Sequence, residues 1–296
     1  MSRIAVIDTA VDNKYIGGKA IERINLCKGS DNSTGNEISH GTLCAMILSH
    51  FASDYKLVNI QILRENKAKA FGGIGLLAEA LRLCLELNVD VVSLSAVSSI
   101  LSDSKYIYET TCELAKGAFI VSALDNAQYV SVPTSYPHVV GVRCDTAGLL
   151  SPGELAYSAG DPFGANVYAN CDFALLREHN CGPSNSFAVP VVVAYVNDLL
   201  NRGKSRQEIK SMLRNLKPYP ISDGPTMMPP LPSEEREIPV VYLANGTSDM
   251  CREIMDCLYE NHKVQSSTLS LLACPYDIRI KTVKKIDAIH HDLRFM

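Results

Sequence analysis

The sequence predicts an α/β fold in which a mostly parallel sheet is covered by helices on both faces. From residue 1 to about residue 216, short apolar runs alternate with amphipathic segments that have the period of a helix. The apolar runs are nearly continuous, which is typical of parallel strands buried on both faces. A cluster of prolines after residue 216 ends this pattern and predicts a domain boundary.

The predicted strands are short and rich in β-branched and other apolar residues. They are Ile4–Ile7, Lys56–Leu63, Val89–Leu94, Ala118–Ala123 and Val139–Val142. A helix is predicted over Gly75–Leu87, because its apolar residues recur on one face. Ser205 and Glu208 have the spacing of a capping box and predict the start of another helix, which ends near Leu216.

Three segments follow from these patterns. Residues 1–216 are predicted to form the main α/β domain, and residues 217–237 a semi-rigid, proline-rich linker. Residues 238–296 predict a small β-α-β module with a charged tail, in which Val240–Ala244 and Thr268–Ala273 are strands and Thr247 or Ser248 caps the helix. A module of this size buries little apolar surface alone, so we expect it to dock on the main domain or on a partner.

Composition excludes two classes of partner. The net charge of the 296-residue chain is −4 and no basic stripe is present, so nucleic acid is not an expected partner. The longest apolar run, Ala188–Val196, has about half the length of a membrane span, so no membrane association is expected.

The cysteines predict a reducing compartment. Ten cysteines are scattered through helix and strand patterns rather than grouped as in a small disulfide-rich scaffold. The N-terminus leads directly into the strand Ile4–Ile7 and carries no signal-peptide pattern. We therefore expect free thiols and a cytoplasmic location.

Three short motifs carry residue types that act together in nucleophilic catalysis. Asp8 ends the first strand, His40 begins the helical segment His-Gly-Thr-Leu-Cys-Ala, and Ser186 begins a second helical segment, Ser-Phe-Ala-Val-Pro. A serine hydroxyl needs a base such as neutral imidazole to remove its proton, and a carboxylate to hold that imidazole in the correct tautomer. The chain order Asp, His, Ser is one of the known orders of this triad.

At these residues the chain resembles a subtilisin-like serine protease, over about residues 1–216. The resemblance implies a three-layer α/β/α fold and a triad of Asp8, His40 and Ser186. It also implies that Asn126, which follows the strand Ala118–Ala123, donates a hydrogen bond to the oxyanion formed during catalysis. The backbone N–H of Ser186 is the second expected donor.

Four residues are expected to bind substrate by the same resemblance. Ser95, Ala96 and Val97 stand where the family has its substrate-binding strand, and Asp125 stands beside the specificity pocket. Val97 and Asp125 replace glycines, so Val97 narrows the groove and Asp125 favours a basic side chain before the cleaved bond if it faces the pocket. Asn185 replaces a threonine before the nucleophile and is still expected to donate a hydrogen bond.

The function predicted from these residues is intracellular serine endopeptidase activity through an acyl-enzyme on Ser186. Limited proteolysis of a dedicated peptide or protein, for example leader removal from a precursor peptide, fits the narrowed groove and the absence of a pro-segment pattern. Two alternatives remain open: an inactive peptide-binding module that keeps the fold, or a peptide ligase or acyl hydrolase that uses the same triad. No metal loop or cofactor motif is present, so neither a metal nor a cofactor is expected.

Overall fold

The computed structural model describes residues 1–18, 20–27, 38–66, 69–71, 73–159, 161, 163–219, 247–262, 266, 268–270 and 280–282. The chain divides into two compact units, Met1–Pro218 and Tyr219–Met296. The predicted strand Val240–Ala244 and most of the predicted linker 217–237 lie outside the described residues. The three-segment organisation therefore stays a prediction.

Ten short strands are present among the described residues of the first unit. They are β1 (Ser2–Asp8), β2 (Ile21–Asn25), β3 (Tyr55–Gln61), β4 (Arg64–Asn66), β5 (Lys69–Phe71), β6 (Val91–Leu94), β7 (Phe119–Ala123), β8 (Val140–Cys144), β9 (Leu155–Tyr157) and β10 (Val167–Ala169). Eight of them make one sheet in the order β2-β3-β1-β6-β7-β8-β10-β9, and β4 and β5 form a separate hairpin. All neighbours in the large sheet are parallel except β9 and β10, which confirms the predicted mostly parallel sheet.

Six α-helices are described in the first unit; the first three connect strands, and the other three follow the last strand. They are α1 (His40–Phe51), α2 (Ile74–Glu86), α3 (Ser104–Gly117), α4 (Ala174–Glu178), α5 (Asn185–Asn201) and α6 (Arg206–Arg214). The capping box is present at α6, where the Ser205 side chain accepts from the Glu208 backbone N–H and the Glu208 side chain accepts in return. Among the described residues, no helix is long and apolar enough to span a bilayer.

The alternation of side chains along β1 creates the layers. Ile4 and Val6 belong to a buried cluster together with residues of α1 and α5. Ala5 and Ile7 are fully buried but lie outside that cluster, because successive side chains of a strand point to opposite faces of the sheet. Helices α2 and α3 contact each other. In addition, α2 contacts β1 and α3 contacts β7. The predicted α/β/α fold with helices on both faces is therefore confirmed.

The order of the sheet positions the site. In the sheet, β1 lies between β3 and β6. After β1 the chain adds β2 and β3 on one side of this strand and then crosses to add β6, β7 and β8 on the other side. In open parallel sheets, ligands bind outside the carboxyl ends of the strands at such a switch point. The carboxyl ends of β1 and β6 are Asp8 and Leu94, and Ser95 follows directly.

The second unit is described only in part. It contains α7 (Ser248–His262) and a parallel pair of short strands, β11 (Thr268–Ser270) and β12 (Ile280–Thr282). The Thr247 hydroxyl accepts a hydrogen bond from the Met250 N–H at 3.2 Å, so Thr247 is the residue that caps the helix.

Candidate active site

The strand alternation directs Asp8 toward the helices that carry the other two motif residues. Asp8 lies on the same face of β1 as Ile4 and Val6, which is the face covered by α1 and α5. Its side chain is fully buried, and Oδ1 accepts a hydrogen bond from the Thr9 N–H at 2.7 Å. The carboxylate is therefore held in one orientation at the end of the strand.

A glycine lets the start of α1 touch the end of β1. The Gly41 N–H donates to the Thr9 hydroxyl at 2.8 Å, and a Cβ at Gly41 would lie 2.6 Å from the Thr9 carbonyl oxygen. Ser39 caps the same helix by accepting from the Thr42 N–H and also donates to the Ala10 carbonyl at 2.5 Å. These contacts place His40, the first residue of α1, against Asp8.

His40 and Asp8 form a close pair. Nδ1 of His40 lies 2.9 Å from both carboxylate oxygens of Asp8. With the carboxylate ionised, Nδ1 carries the proton and Nε2 is left as the basic nitrogen. Burial of the ring lowers the pKa of His40, but the charge and hydrogen bond of Asp8, together with the Cys44 sulfur, outweigh burial and raise the pKa well above the usual 6.5. The side chain is 28% exposed, so the ring borders solvent.

Ser186 lies in the first turn of α5, next to a residue that contacts the imidazole. The ring of the next residue, Phe187, stacks on His40 with centroids 4.9 Å apart and planes inclined by 27°. Ser186 is 7% exposed. Its hydroxyl makes no hydrogen bond to any other described residue, and contacts of this kind are commonly looser in apo structures than during reaction.

Cys44 is a site residue that the sequence analysis missed. Its Sγ lies 3.8 Å from Nδ1 of His40, 3.8 Å from the Ser95 hydroxyl and 3.9 Å from the Ser186 carbonyl oxygen. That carbonyl lacks its usual helical partner, because residue 190 is a proline with no N–H. Burial raises the pKa of the Cys44 thiol, so the group is neutral near pH 7. The available signal was its spacing of four residues from His40 on one helix.

The side chains of Asp8, His40 and Cys44 carry the kinds of atom that bind metals. The ligand atoms of Asp8, His40 and Cys44 lie within 4.8 Å of one another, a grouping found among the described residues. A cation there would occupy the carboxylate and Nδ1 that form the His–Asp pair. The expectation that the site holds no metal remains a prediction.

The candidate oxyanion donors lie at the start of α5. Asn126 follows β7, is exposed, and its Oδ1 accepts a hydrogen bond from the Asn185 N–H at 3.1 Å. The Ser186 N–H belongs to the first turn of α5 and therefore has no partner four residues earlier in that helix. Both groups lie at the positive end of the helix dipole. The arrangement suits a developing negative charge.

The four residues expected to bind substrate lie in the loops that follow β6 and β7. Ser95, Ala96 and Val97 are half-buried and extend beyond Leu94, where the ladder partners of β6 end. The contact between Ser95 and Cys44 places this segment beside the site. Asp125 is half-buried, and its Oδ1 accepts a hydrogen bond from the Ala127 N–H at 2.8 Å within its own loop. Their roles remain predictions.

Comparison with known proteins identifies the fold. No protein-family model and no curated protein matches the sequence. A crystal structure of a lanthipeptide protease matches 72% of this chain and 80% of its own, with a TM-score of 0.52 and 17% identity. The structure of a mutant of the PatA protease domain matches 72% of this chain and 86% of its own, with a TM-score of 0.51 and 17% identity. The chain has the subtilisin-like fold.

At 17% identity, these structural matches establish the fold but not the activity. The activity has to be argued from the geometry of the site. In the subtilisin-like fold of this chain, β1, α1 and α5 bring Asp8, His40 and Ser186 to one region at the carboxyl edge of the sheet. The resemblance to subtilisin-like proteases inferred from the sequence is therefore confirmed at the level of the fold.

Proposed function

We propose that this protein is a serine endopeptidase that cleaves peptide bonds through an acyl-enzyme on Ser186. The observation that carries the proposal is the His–Asp pair, in which Nδ1 of His40 lies 2.9 Å from both oxygens of a buried carboxylate. A buried carboxylate of this kind stabilises the imidazolium that forms when the base accepts a proton. The stacking of Phe187 on the imidazole brings the start of α5 to the same point.

The reaction follows from these groups. Nε2 of His40 removes the proton of the Ser186 hydroxyl, and Oγ attacks the carbonyl carbon of the peptide bond. Asn126 Nδ2 and the Ser186 N–H donate hydrogen bonds to the oxyanion. His40 then protonates the leaving amine, which leaves an ester on Ser186. Water, activated by His40 in the same way, hydrolyses the ester and restores the serine. No cofactor takes part.

We further propose that the substrate is a dedicated peptide or protein, for example a precursor peptide that loses its leader. Val97, two residues after Ser95, supports this, since a β-branched side chain in the proposed substrate groove would restrict which chains can lie there. One of the similar structures is a lanthipeptide protease, which fits the same class of substrate. Residues 238–296 are proposed as the docking surface for that substrate.

The proposed location is the cytoplasm. The described cysteines are all free thiols, five of them buried and one exposed. Buried and exposed free thiols persist together in a reducing compartment.

An activity probe tests the enzyme proposal. A fluorophosphonate is expected to label the wild type on Ser186 and to leave Ser186→Ala and His40→Ala unlabelled. Ser184→Ala is the matched control, because the Ser184 side chain makes no capping hydrogen bond and its removal leaves α5 intact. Labelling of Ser186→Ala equal to the wild type would assign the nucleophile elsewhere, and an unlabelled wild type would favour a peptide-binding module.

A second measurement separates hydrolysis from transfer. Mass spectrometry of a peptide library incubated with the protein in the presence of added amines is expected to show cleaved products with free carboxyl ends. Products that carry the added amine instead would identify a ligase that uses the same acyl-enzyme.

A further inference from the structure

The side chain of Asn185 joins three segments of the chain. Asn185 is the first residue of α5 and is 6% exposed. Its Oδ1 accepts a hydrogen bond from the Cys144 N–H at 2.8 Å, at the end of β8. Its Nδ2 donates to the carbonyl oxygens of Leu124 at 3.1 Å and Asp125 at 3.2 Å, in the loop after β7. Both hydrogens of the amide are thereby used.

The backbone of the same residue holds Asn126. The Asn185 N–H donates to Asn126 Oδ1 at 3.1 Å. The residue that precedes the helix, Ser184, makes no side-chain capping bond, and Asn126 satisfies one of the first helix amides, which have no partner within the helix. Because Oδ1 is engaged, Nδ2 of Asn126 lies on the side away from that N–H. An exposed asparagine amide otherwise rotates over a broad range of torsion angles.

We propose that Asn185 is the positioning residue of the oxyanion donor Asn126. Its side chain holds the backbone immediately before Asn126 in place, and its own N–H determines which way the Asn126 amide faces. The inference rests on the proposed function, in which Asn126 donates to the oxyanion. Asn185 does not donate there itself, because both Nδ2 hydrogens bind carbonyl oxygens. Asn185 does donate hydrogen bonds, as expected from the sequence, and its acceptors are the backbone carbonyls of the loop before Asn126.

Asn185→Asp is the direct test. The substitution keeps the shape of the side chain but replaces two N–H donors with an oxygen facing two carbonyl oxygens, which displaces the loop that carries Asn126. The expected result is a fall in kcat for a small ester of about 10- to 100-fold, with KM changed much less, because the oxyanion bond forms only during reaction. If Asn185→Asp does not fold, Asn185→Ser keeps one donor and is expected to give a smaller loss of kcat.

A double substitution distinguishes positioning from a general structural role. Asn126→Ala alone is expected to lower kcat by roughly 10²–10³-fold. Because Asn185 acts through Asn126, adding Asn185→Asp to Asn126→Ala is expected to cause no further loss. Losses that multiply in the double variant would overturn the proposal, as would an unchanged kcat in either single variant.

Asn197→Asp is the matched control. Asn197 lies on the same helix, is 1% exposed, and its Nδ2 donates to the Ser53 carbonyl oxygen at 3.0 Å. Asn197→Asp loses this hydrogen bond, so the variant is expected to melt at a lower temperature. Because Asn197 belongs to no part of the site, each folded molecule is expected to keep the wild-type kcat. If it loses as much kcat as Asn185→Asp, the effect is one of stability and the positioning role is refuted.

A readout without catalysis separates failure of this inference from failure of the proposed function. In ¹⁵N NMR, the side-chain amide of Asn126 is expected to give one ordered pair of resonances that broadens or moves in Asn185→Asp. If fluorophosphonate labels the wild type, but the Asn126 resonances are the same in the wild type and in Asn185→Asp, positioning alone is refuted. A wild type with an ordered Asn126 amide that no fluorophosphonate labels would refute the proposed function, and the catalytic purpose of the positioning with it.

Discussion

His40 is the residue whose ionisation controls the proposed reaction. The Asp8 carboxylate raises the pKa of His40 above 6.5, so the proton bound to the ring stabilises the folded protein at low pH, and this contribution is lost as pH rises through the raised pKa. Activity has the opposite dependence, since the base must be neutral. We expect the rate of fluorophosphonate labelling to increase with pH, with a midpoint above 6.5.

The same residue offers a second measurement of this effect. In Asp8→Asn the attraction is removed while burial remains, so the ring titration of His40, followed by NMR, is expected to shift to lower pH. Labelling is expected to fall by about 10⁴-fold, because an asparagine favours the wrong tautomer. A wild-type midpoint at or below 6.5 would show that Asp8 does not govern the base.

Gly41 is the residue that allows His40 to approach Asp8. A Cβ there would lie 2.6 Å from the Thr9 carbonyl oxygen, so Gly41→Ala must push α1 away from β1. We expect a loss of about 1–3 kcal/mol of stability, as for other overpacked sites, together with slower labelling. Melting temperature and labelling rate measure the two effects.

Gly75→Ala is the control for that variant. Gly75 is the second residue of α2, and nothing lies within 4 Å of a Cβ there, so alanine is expected to stabilise the helix by about 0.5–1 kcal/mol with no change in labelling. Equal labelling by Gly41→Ala and the wild type would mean that the close approach is not needed.

At the scale of elements, α1 presents the base and its cap holds the start of the helix. Ser39 accepts from the Thr42 N–H and donates to the Ala10 carbonyl, so Ser39→Ala removes both bonds. The expected cost is about 1 kcal/mol, and because His40 is the next residue, labelling is expected to slow as the first turn frays.

The cap of α6 supplies a matched comparison. Ser205→Ala removes an equivalent capping bond, with an expected loss of similar size, but α6 carries none of the proposed site residues. Labelling by this variant is expected to match the wild type. A slowing of equal size in both variants would indicate that global stability, rather than the position of His40, sets the rate.

The strands and helices also show how much of the secondary structure the local sequence patterns predict. The strands β1, β3, β6, β7 and β8 and the helices α2 and α6 follow the predicted segments within one or two residues at most ends. The pattern did not predict β2, the hairpin of β4 and β5, β9, β10 or α3. Most of these strands have three residues or lie at the sheet edge, where burial alternates weakly and the partner strand decides the conformation.

At the scale of the whole molecule, the boundary of the first unit determines how the two units can be tested separately. The Tyr157 N–H donates to the Lys217 carbonyl oxygen at 2.9 Å, and Lys217 pairs with Glu154. A chain ended at Leu216 would lose both contacts, so residues 1–219 are the better fragment. We expect this fragment to hydrolyse a small ester as the full chain does, but to cleave its dedicated peptide more slowly.

Substrate restriction gives the accompanying prediction. Full-length protein, at a concentration set by active-site titration, is expected to leave casein largely intact while it hydrolyses the small ester. Rapid, unselective digestion of casein would refute a dedicated substrate. Equal cleavage of the best library peptide by residues 1–219 and by the full chain would remove the docking role proposed for residues 238–296.

The sequence alone determined the class of fold and the identity of the proposed reacting groups. Buried strand runs, helix starts and the order Asp8, His40, Ser186 are patterns of the sequence. Each can be recognised without knowing which residues it contacts in the folded protein. The location of Asn126 after a strand is equally local.

Only the tertiary structure decided what surrounds those groups. The contacts of Cys44 with Ser95 and Ser186 and the four hydrogen bonds of Asn185 do not follow from neighbouring residues. Their partners lie 51 and 142 positions away for Cys44 and 41 to 61 for Asn185. The physical reason is that a buried polar group must find its partners wherever the packed chain supplies them. Packing of α1 and α5 on one face of the sheet supplied them here.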